Sequence, residues 1–191
     1  GLAIQARRRA LGHDGLFARD SVADEADVIA AVDAAVQTYG TLTTVVNNAA
    51  ATDTTGPGRP DTHVTDITNE AFETVLRTGV YGVLWTSKHA IPHLQSAGGG
   101  AIVNIPAASS TRAIDARPAY QASKGAVNAL TRQMAVDYGV SGVRSNAIIV
   151  GFTPTGGEMI TRMVENEEFI AAVRRAIPSP RLGSPLDVAG D

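Results

Sequence analysis

Tyr120 and Lys124 are the two residues whose type and spacing point most directly to chemistry. Residues four apart lie on one face of a helix, so the phenol and the ammonium become neighbours. An ammonium beside a phenol favours the phenolate and lowers the pKa of the tyrosine toward working pH. Such a tyrosine can give a proton to a carbonyl oxygen as hydride arrives, or take it back in oxidation. The same spacing also fits an ordinary surface pair on an amphipathic helix.

Helical and strand-like segments alternate around this pair. Apolar periodicity and stop signals predict helices over residues 1–11, 24–39, 68–95 and 119–138, a partly helical segment at 156–177, and a helix that begins at Pro185. Runs of apolar and β-branched residues predict strands at residues 16–18, 42–47, 101–105 and 143–149. Strands separated by helices of this length indicate βαβ units and a parallel sheet.

Small and polar residues follow three of the predicted strands. They are Asn47, Asn48 and Ala49, then residues 107–110, then residues 151–155. In open parallel sheets, ligands bind outside the carboxyl ends of the strands. We therefore expect the functional site at this edge of the sheet.

The Tyr120-x-x-x-Lys124 pattern resembles the active-site motif of short-chain dehydrogenases/reductases, and five other stretches match that family in the same order. Residues 46–50 (VNNAA) are similar to the Asn-Asn-Ala-Gly motif that ends the family's fourth strand. The others are the fifth strand at 102–105, the sixth at 143–147, the nicotinamide loop at 151–155 and the start of the last helix at 181–189. The resemblance covers nearly the whole chain.

The resemblance implies an α/β fold with a Rossmann-type, doubly wound parallel sheet and helices on both faces. Residues 1–191 are then one dinucleotide-binding domain, which we expect to be a fragment incomplete at both ends. It implies NAD or NADP as cofactor, a small carbonyl or alcohol substrate, and a homodimer or homotetramer built partly on the two long helices. The cofactor contacts it implies are Ser21, Val22, Asn48, Ala49, Tyr120, Lys124, Thr153 and Thr155.

Several positions depart from the family pattern. The Gly-rich turn that holds the pyrophosphate is missing, so NAD and NADP cannot be told apart. The family serine that holds the substrate carbonyl lies thirteen residues before the tyrosine, and Ala107 occupies that position. Losing one such donor typically costs about 10²–10³ in rate. Ser109 is the candidate substitute, and Gly79 occupies the position of the family asparagine that supports the proton relay.

Composition excludes several other classes. The chain has no cysteine, which removes disulfides, thiol catalysis and cysteine metal sites. The net charge is -3 and the run Arg7, Arg8, Arg9 is short, so we expect no nucleic-acid binding. No apolar stretch is long enough to cross a membrane, and we expect a cytoplasmic protein. His89 and His93 have a metal-ligand spacing without an obvious third ligand.

Two functions follow from these features. The first is an oxidoreductase that moves hydride between NAD(P) and a ketone or secondary alcohol, with Tyr120 as acid/base and Lys124 as its pKa modifier and ribose contact. The alternative is a catalytically impaired homologue that acts as a binding or oligomer-forming subunit, because Ala107 and Gly79 replace the expected residues. Met159, Met163 and Phe169 are expected to line a substrate lid.

Overall fold

Three strands form a parallel sheet in a computed structural model of the protein. They are β1 (Thr44–Asn47), β2 (Gly100–Asn104) and β3 (Val143–Ala147), in the order β1-β2-β3. In register, Val45 lies beside Ile102, and Ile102 lies beside Ser145. The structure describes residues 2–54, 58–156, 158–177 and 179–189, and for residues 4, 158 and 159 it describes the backbone alone.

The helices lie between and after these strands, close to the predicted positions. They are α1 (Leu2–Ala10), α2 (Glu25–Tyr39), α3 (Asn69–Leu76), α4 (Gly82–Ser96), α5 (Pro118–Tyr138), α6 (Glu158–Glu165), α7 (Glu167–Ala176) and α8 (Pro185–Ala189). The Asp24 side chain caps α2, and Gly40, in the left-handed region, ends it. The alternation of helices and parallel strands confirms the predicted α/β fold.

The long helix predicted over residues 68–95 contains an interruption. Thr68 caps the start of α3, and a π-helical turn at Arg77–Tyr81 joins α3 to α4. The extra residue of a π turn rotates the faces of the helix on either side of it. This turn contains Gly79, the position where the family carries asparagine.

The described core lies on one face of the sheet. Val45, Ile102 and Val143 point into it from the three strands, and α4 and α5 supply the facing apolar residues Val83, Ala90, Ile91, Leu94, Val127 and Met134. Both crossovers run in the same direction along the sheet, and right-handed connections of that kind place their helices on the same face. On the opposite face Val46 is 59% exposed.

The strand predicted at residues 16–18 is absent. Residues 13–21 form no regular element, and Leu16 and Phe17 are 46% and 38% exposed. A strand needs a hydrogen-bonded neighbour, and none of the three described strands lies beside this segment. The prediction was wrong because apolar sequence alone does not supply that neighbour.

A buried chain of amides joins the strand ends to α5. The Asn104 side chain at the end of β2 is fully buried; its amide nitrogen donates to Thr131 Oγ1 at 2.9 Å. Its amide oxygen accepts from Asn47 Nδ2, at the end of β1, at 2.8 Å. We infer that these bonds fix the carboxyl ends of β1 and β2 relative to α5, because a buried amide must find its partners inside the protein.

The first turn of α5 is capped by a residue far away in sequence. Asp61, which is 1% exposed, accepts hydrogen bonds from the backbone N–H groups of Ala119 at 3.1 Å and Tyr120 at 3.0 Å. Pro118, the first helical residue, has no N–H, and Arg117 makes no side-chain cap bond. Asp61 therefore satisfies two donors at the start of the helix that carries Tyr120.

The first helix is largely exposed. Arg7, Arg8 and Arg9 of α1 all lie at the surface. None of the described helices combines the length and the apolar character needed to cross a lipid bilayer.

We predict that Asp61→Ala lowers the free energy of unfolding by about 1–3 kcal/mol, because two buried N–H groups lose their acceptor. Urea denaturation followed by circular dichroism measures the change. Thr68→Ala is the matched control, since Thr68 caps the exposed start of α3 and its loss costs about 1 kcal/mol. A smaller loss in Asp61→Ala than in Thr68→Ala contradicts the assignment.

Candidate active site

Tyr120 and Lys124 lie on one face of α5 near its first turn, as their spacing predicts. Lys124 is 5% exposed, and its ammonium donates a hydrogen bond of 2.8 Å to the carbonyl oxygen of Ile105, just after β2. The ammonium nitrogen lies 5.7 Å from the centre of the Tyr120 ring. The strand end thus fixes Lys124 in place beside the phenol.

The pKa of Tyr120 differs from the expectation. Burial raises the pKa of the phenol above its ordinary value of 10.0, and the positive charge of Arg117 opposes that shift in part. Burial also lowers the pKa of the Lys124 ammonium. The lowering of the tyrosine pKa by Lys124 that the spacing suggested is not seen, because the low-dielectric surroundings disfavour the charged form of each group.

Ser109 faces the same cavity as Tyr120. This cavity has a volume of about 460 Å³, and Ala107, Ala108 and Ser109 line it together with Tyr120. The Ser109 side chain is 5% exposed, and its Oγ has no hydrogen-bond partner in the described structure. Ser110 belongs to a different environment, since its Oγ accepts from Asn128 Nδ2 at 2.7 Å. Ser109 therefore lines this cavity with a hydroxyl that has no partner among the described residues.

The loops that follow β2 and β3 are tied together beside this cavity. The backbone N–H of Ala108 donates to the carbonyl oxygen of Val150 at 2.8 Å. Ala107 and Val150 form an isolated parallel bridge at the same place. The two backbones meet between Val150 and Ala107, and Ala107 is one of the positions that depart from the family pattern.

Gly79 is packed against the helix that carries Tyr120. A Cβ atom added to Gly79 lies 3.1 Å from both Cβ and Oγ of Ser123 on α5. An asparagine at this position therefore needs Ser123 to shift by a few tenths of an ångström. The space beside Gly79 is filled by the neighbouring helix.

Four of the predicted cofactor contacts line a second cavity. Ser21, Val22, Asn48 and Ala49 share a cavity of about 300 Å³ beside β1, between α2 and α4. Gly82 allows the close approach of this loop to α4, since a Cβ there lies 3.0 Å from the carbonyl oxygen of Val22. The Ser21 N–H donates to Asp27 Oδ2 at 3.0 Å, which orders the loop.

Thr153 and Thr155 lie apart from these two groups. Thr153 lines a third cavity, of about 490 Å³, that shares Val150, Gly151 and Phe152 with the Tyr120 cavity. Thr155 is exposed and lines none of the three cavities. The structure thus brings Tyr120 together with Ser109, and places Thr153 nearby.

Two helices, α6 and α7, lie within residues 156–177, where a substrate lid is expected. Met163 on α6 and Phe169 on α7 line the Tyr120 cavity, and Phe169 packs edge-on against Phe152 with ring centres 5.3 Å apart. The side chain of Met159 lies outside what the structure describes.

His89, one of the two histidines at metal-ligand spacing, contacts a carboxylate. His89 Nε2 lies 2.9 Å from Glu25 Oε1, and Lys88 shares that oxygen at 2.7 Å. The hydrogen bonds of Lys88 and His89 to the carboxylate lower the pKa of Glu25, and partial desolvation of the carboxylate opposes that shift. Among the described residues, no cluster of three or more metal-ligating side chains occurs.

Sequence reasoning missed three residues beside Tyr120. Asp61 binds the first turn of α5, and nothing local in the sequence signals this, because 58 residues separate Asp61 from Ala119. Arg112 and Arg117 line the Tyr120 cavity. The position of Arg117, three residues before Tyr120, was an available signal.

Comparison with known proteins identifies the family. A family profile described as enoyl-(acyl carrier protein) reductase matches residues 3–190. The 2-(R)-hydroxypropyl-CoM dehydrogenase of Xanthobacter autotrophicus is 37% identical over 174 residues, which cover 91% of this chain and 67% of that protein. The chain belongs to the short-chain dehydrogenase/reductase family. This confirms the resemblance drawn from the motifs. The chain spans about two thirds of the length of that relative.

Two solved members of the family were found with bound nucleotide. NAD+-bound xylitol dehydrogenase is 26% identical with a TM-score of 0.86, and the match covers 99% of this chain and 75% of its own. A gluconate 5-dehydrogenase from Burkholderia cenocepacia, in complex with NADP and tartrate, is 25% identical with a TM-score of 0.81, over 95% of this chain and 68% of its own. These likenesses confirm the Rossmann-type fold.

One relative bears on the question of activity. A protein named inactive 2-(S)-hydroxypropyl-CoM dehydrogenase 2, from Xanthobacter autotrophicus, is 34% identical over 172 residues, covering 88% of this chain and 71% of its own. The family therefore includes a relative that is named as inactive.

We predict that Tyr120 titrates above pH 10.0 in the cofactor-free protein, because burial raises its pKa. Ultraviolet difference titration of the wild type against Tyr120→Phe isolates this phenol. Because the folded pKa is raised, the stability that Tyr120 contributes is complete below its unfolded pKa and declines as pH rises through the folded pKa. A difference spectrum that develops below pH 10.0 shows that another group outweighs burial.

Proposed function

We propose that this protein is a cytoplasmic NAD(P)-dependent oxidoreductase that interconverts a ketone and a secondary alcohol, with residues 1–191 forming one dinucleotide-binding domain. The observation that carries the proposal is the placement of Tyr120 at a cavity with the buried Lys124 ammonium beside it. Membership of the family and its dehydrogenase relatives support it.

The described residues fit a dinucleotide at two places. The Lys124 ammonium has three donors, and Ile105 accepts one of them, so the others are available for ribose hydroxyls. The cavity formed by Ser21, Val22, Asn48 and Ala49 has an apolar floor that suits the adenosine end. We assign Thr153 and Thr155 to the nicotinamide end through the family motif. Bound nicotinamide supplies the hydride acceptor or donor, and the choice of NAD or NADP is left open.

Tyr120 then carries the proton. In reduction the phenol O–H donates its proton to the carbonyl oxygen as that oxygen gains negative charge. In oxidation the phenolate takes the proton from the alcohol hydroxyl. Because burial raises the pKa of Tyr120, the phenol is protonated at neutral pH and the free protein is poised for the reductive direction. We assign Lys124, whose ammonium lies 5.7 Å from the centre of the ring, to the phenolate left after proton transfer, an effect that burial outweighs in the free protein.

Ser109 holds the substrate oxygen in place of the missing family serine. Its hydroxyl is buried without a partner on the wall that also includes Ala107. A buried hydroxyl that lacks a hydrogen bond is costly, and a bound carbonyl oxygen removes that cost. This gives the site one donor for the charge that develops on the oxygen.

A second function belongs to a different class. A catalytically impaired homologue that binds a partner or forms oligomers is favoured by Ala107 and Gly79, and by the relative that is named as inactive. In either case we propose a homodimer or homotetramer that uses α4 and α5. Tyr81 and Leu84, at the start of α4, leave apolar surface exposed on one of these helices.

We predict that the full-length protein binds NADH or NADPH saturably, as followed by nicotinamide fluorescence, and that Tyr120→Phe keeps this binding but loses turnover by about 10³-fold or more. The loss arises because phenylalanine has no proton to transfer. Turnover is measured on a panel of ketones and alcohols. Cofactor binding without turnover in the wild type supports the impaired homologue, and unchanged turnover in Tyr120→Phe removes this residue from the mechanism.

We also predict that Ser109→Ala lowers kcat by about 10²–10³-fold, because the substrate oxygen loses its hydroxyl donor. Ser110→Ala is the matched control, since its hydroxyl is bonded to Asn128 and should change kcat little. Steady-state kinetics with both variants decide the assignment. Equal rates for the two variants mean that Ser109 has no role in the reaction.

A further inference from the structure

The described residues that line the cavity beside Tyr120 are mostly apolar, with two arginines among them. Its charged side chains are Arg112 and Arg117, and its walls include Ile114, Phe152, Met163 and Phe169. No aspartate or glutamate is among the described residues that line it. The cavity therefore carries net positive charge although the whole chain has a net charge of -3.

Neither guanidinium forms a hydrogen bond or an ion pair with the described residues. Arg112 takes part in a hydrogen bond only through its backbone carbonyl, which accepts from Gln121 at 3.3 Å, and no described residue bonds or ion-pairs with either guanidinium. The acid of the same loop, Asp115, lies 3.5 Å from His63 Nε2 and does not line the cavity. Two arginines without carboxylate partners therefore lie at the cavity.

An unusual backbone conformation precedes Arg117. The residue before it, Ala116, has a φ of 52°, in the left-handed region that costs an L residue about 1 kcal/mol or more. Arg117 directly precedes α5, and its positive charge acts on the Tyr120 phenol. Strained backbone persists where the surrounding structure imposes it, and such positions cluster at ligand sites.

We propose that this cavity binds a substrate with an anionic group, a carboxylate, sulfonate or phosphate, which Arg112 and Arg117 hold while the reacting carbon lies at Tyr120. The inference rests on the proposed oxidoreductase function. Guanidinium groups bind such oxyanions through paired, charge-assisted hydrogen bonds. The neighbouring apolar side chains lower the local dielectric and strengthen this attraction.

The remainder of the substrate is small and apolar. A volume of about 460 Å³ fits a small molecule, and the edge-to-face pair of Phe152 and Phe169 offers apolar surface to its middle portion. The anionic end then fixes the orientation, because no other charged side chain among the described residues lines the cavity. This arrangement selects charged ketones over neutral ones of the same length.

Turnover of matched substrates by the full-length protein tests the proposal. The panel contains methyl ketones of increasing chain length that end in a carboxylate or a sulfonate, each paired with its neutral methyl ester. We expect kcat/KM to be about 100-fold higher for the charged member, and Arg117→Gln and Arg112→Gln each to lower it about 10-fold or more. Arg112→Gln should change the rate for the esters about twofold at most, and Arg117→Gln should lower the rate for each acid more than the rate for its ester. Arg132→Gln, on the exposed side of α5, is the control.

A direct binding measurement distinguishes the proposed anion site from the proposed oxidoreductase function. Calorimetric titration of the same anions into the wild type and Arg117→Gln measures the site without turnover. Anion binding that is lost in Arg117→Gln, without turnover of any substrate, supports the anion site and contradicts the oxidoreductase function. Equal rates for acid and ester, equal losses on both in the arginine variants, or no saturable binding of any anion overturns the proposed site.

Discussion

The hydrogen bonds of the Asn104 amide are the constraint on which the arrangement of the strand ends depends. The side chain is fully buried, so both halves of the amide must be satisfied inside the protein. Asn47 supplies one partner from β1 and Thr131 supplies the other from α5. Since α5 also carries Tyr120 and Lys124, the bonds that align the strand ends also set the place of these two residues. Asn48 and Ser109 follow these strands in the chain, so the same hydrogen bonds help to place them.

Burial determines the chemistry available to this pair. It disfavours the charged form of both groups, so it raises the pKa of the Tyr120 phenol and lowers that of the Lys124 ammonium. The carbonyl of Ile105 gives the ammonium a partner, which makes its burial tolerable. Arg117 opposes the effect of burial on Tyr120 from the other side. Arg117 at the cavity therefore also influences the pKa of the Tyr120 phenol.

The two positions that depart from the family pattern are accommodated by their neighbours. Ser123 of α5 packs closely beside Gly79, so little space is left where an asparagine side chain is expected. The backbone around Ala107 bonds to Val150, and the unpartnered Ser109 hydroxyl lies nearby on the wall of the cavity. Asp61 holds the first turn of α5, which orders the backbone at Tyr120. These contacts hold together a site whose side chains differ from those of the family pattern.

The sequence by itself determined the order of the helices and of the three strands that form, and the placement of Tyr120 and Lys124 on one helical face, because periodicity depends on residues a few positions apart. Only the tertiary structure decided the rest. The segment at residues 16–18 forms no strand because a strand depends on a partner elsewhere in the chain. The cap from Asp61 and the raised pKa of Tyr120 likewise depend on contacts and burial that the folded chain creates, which no local pattern encodes.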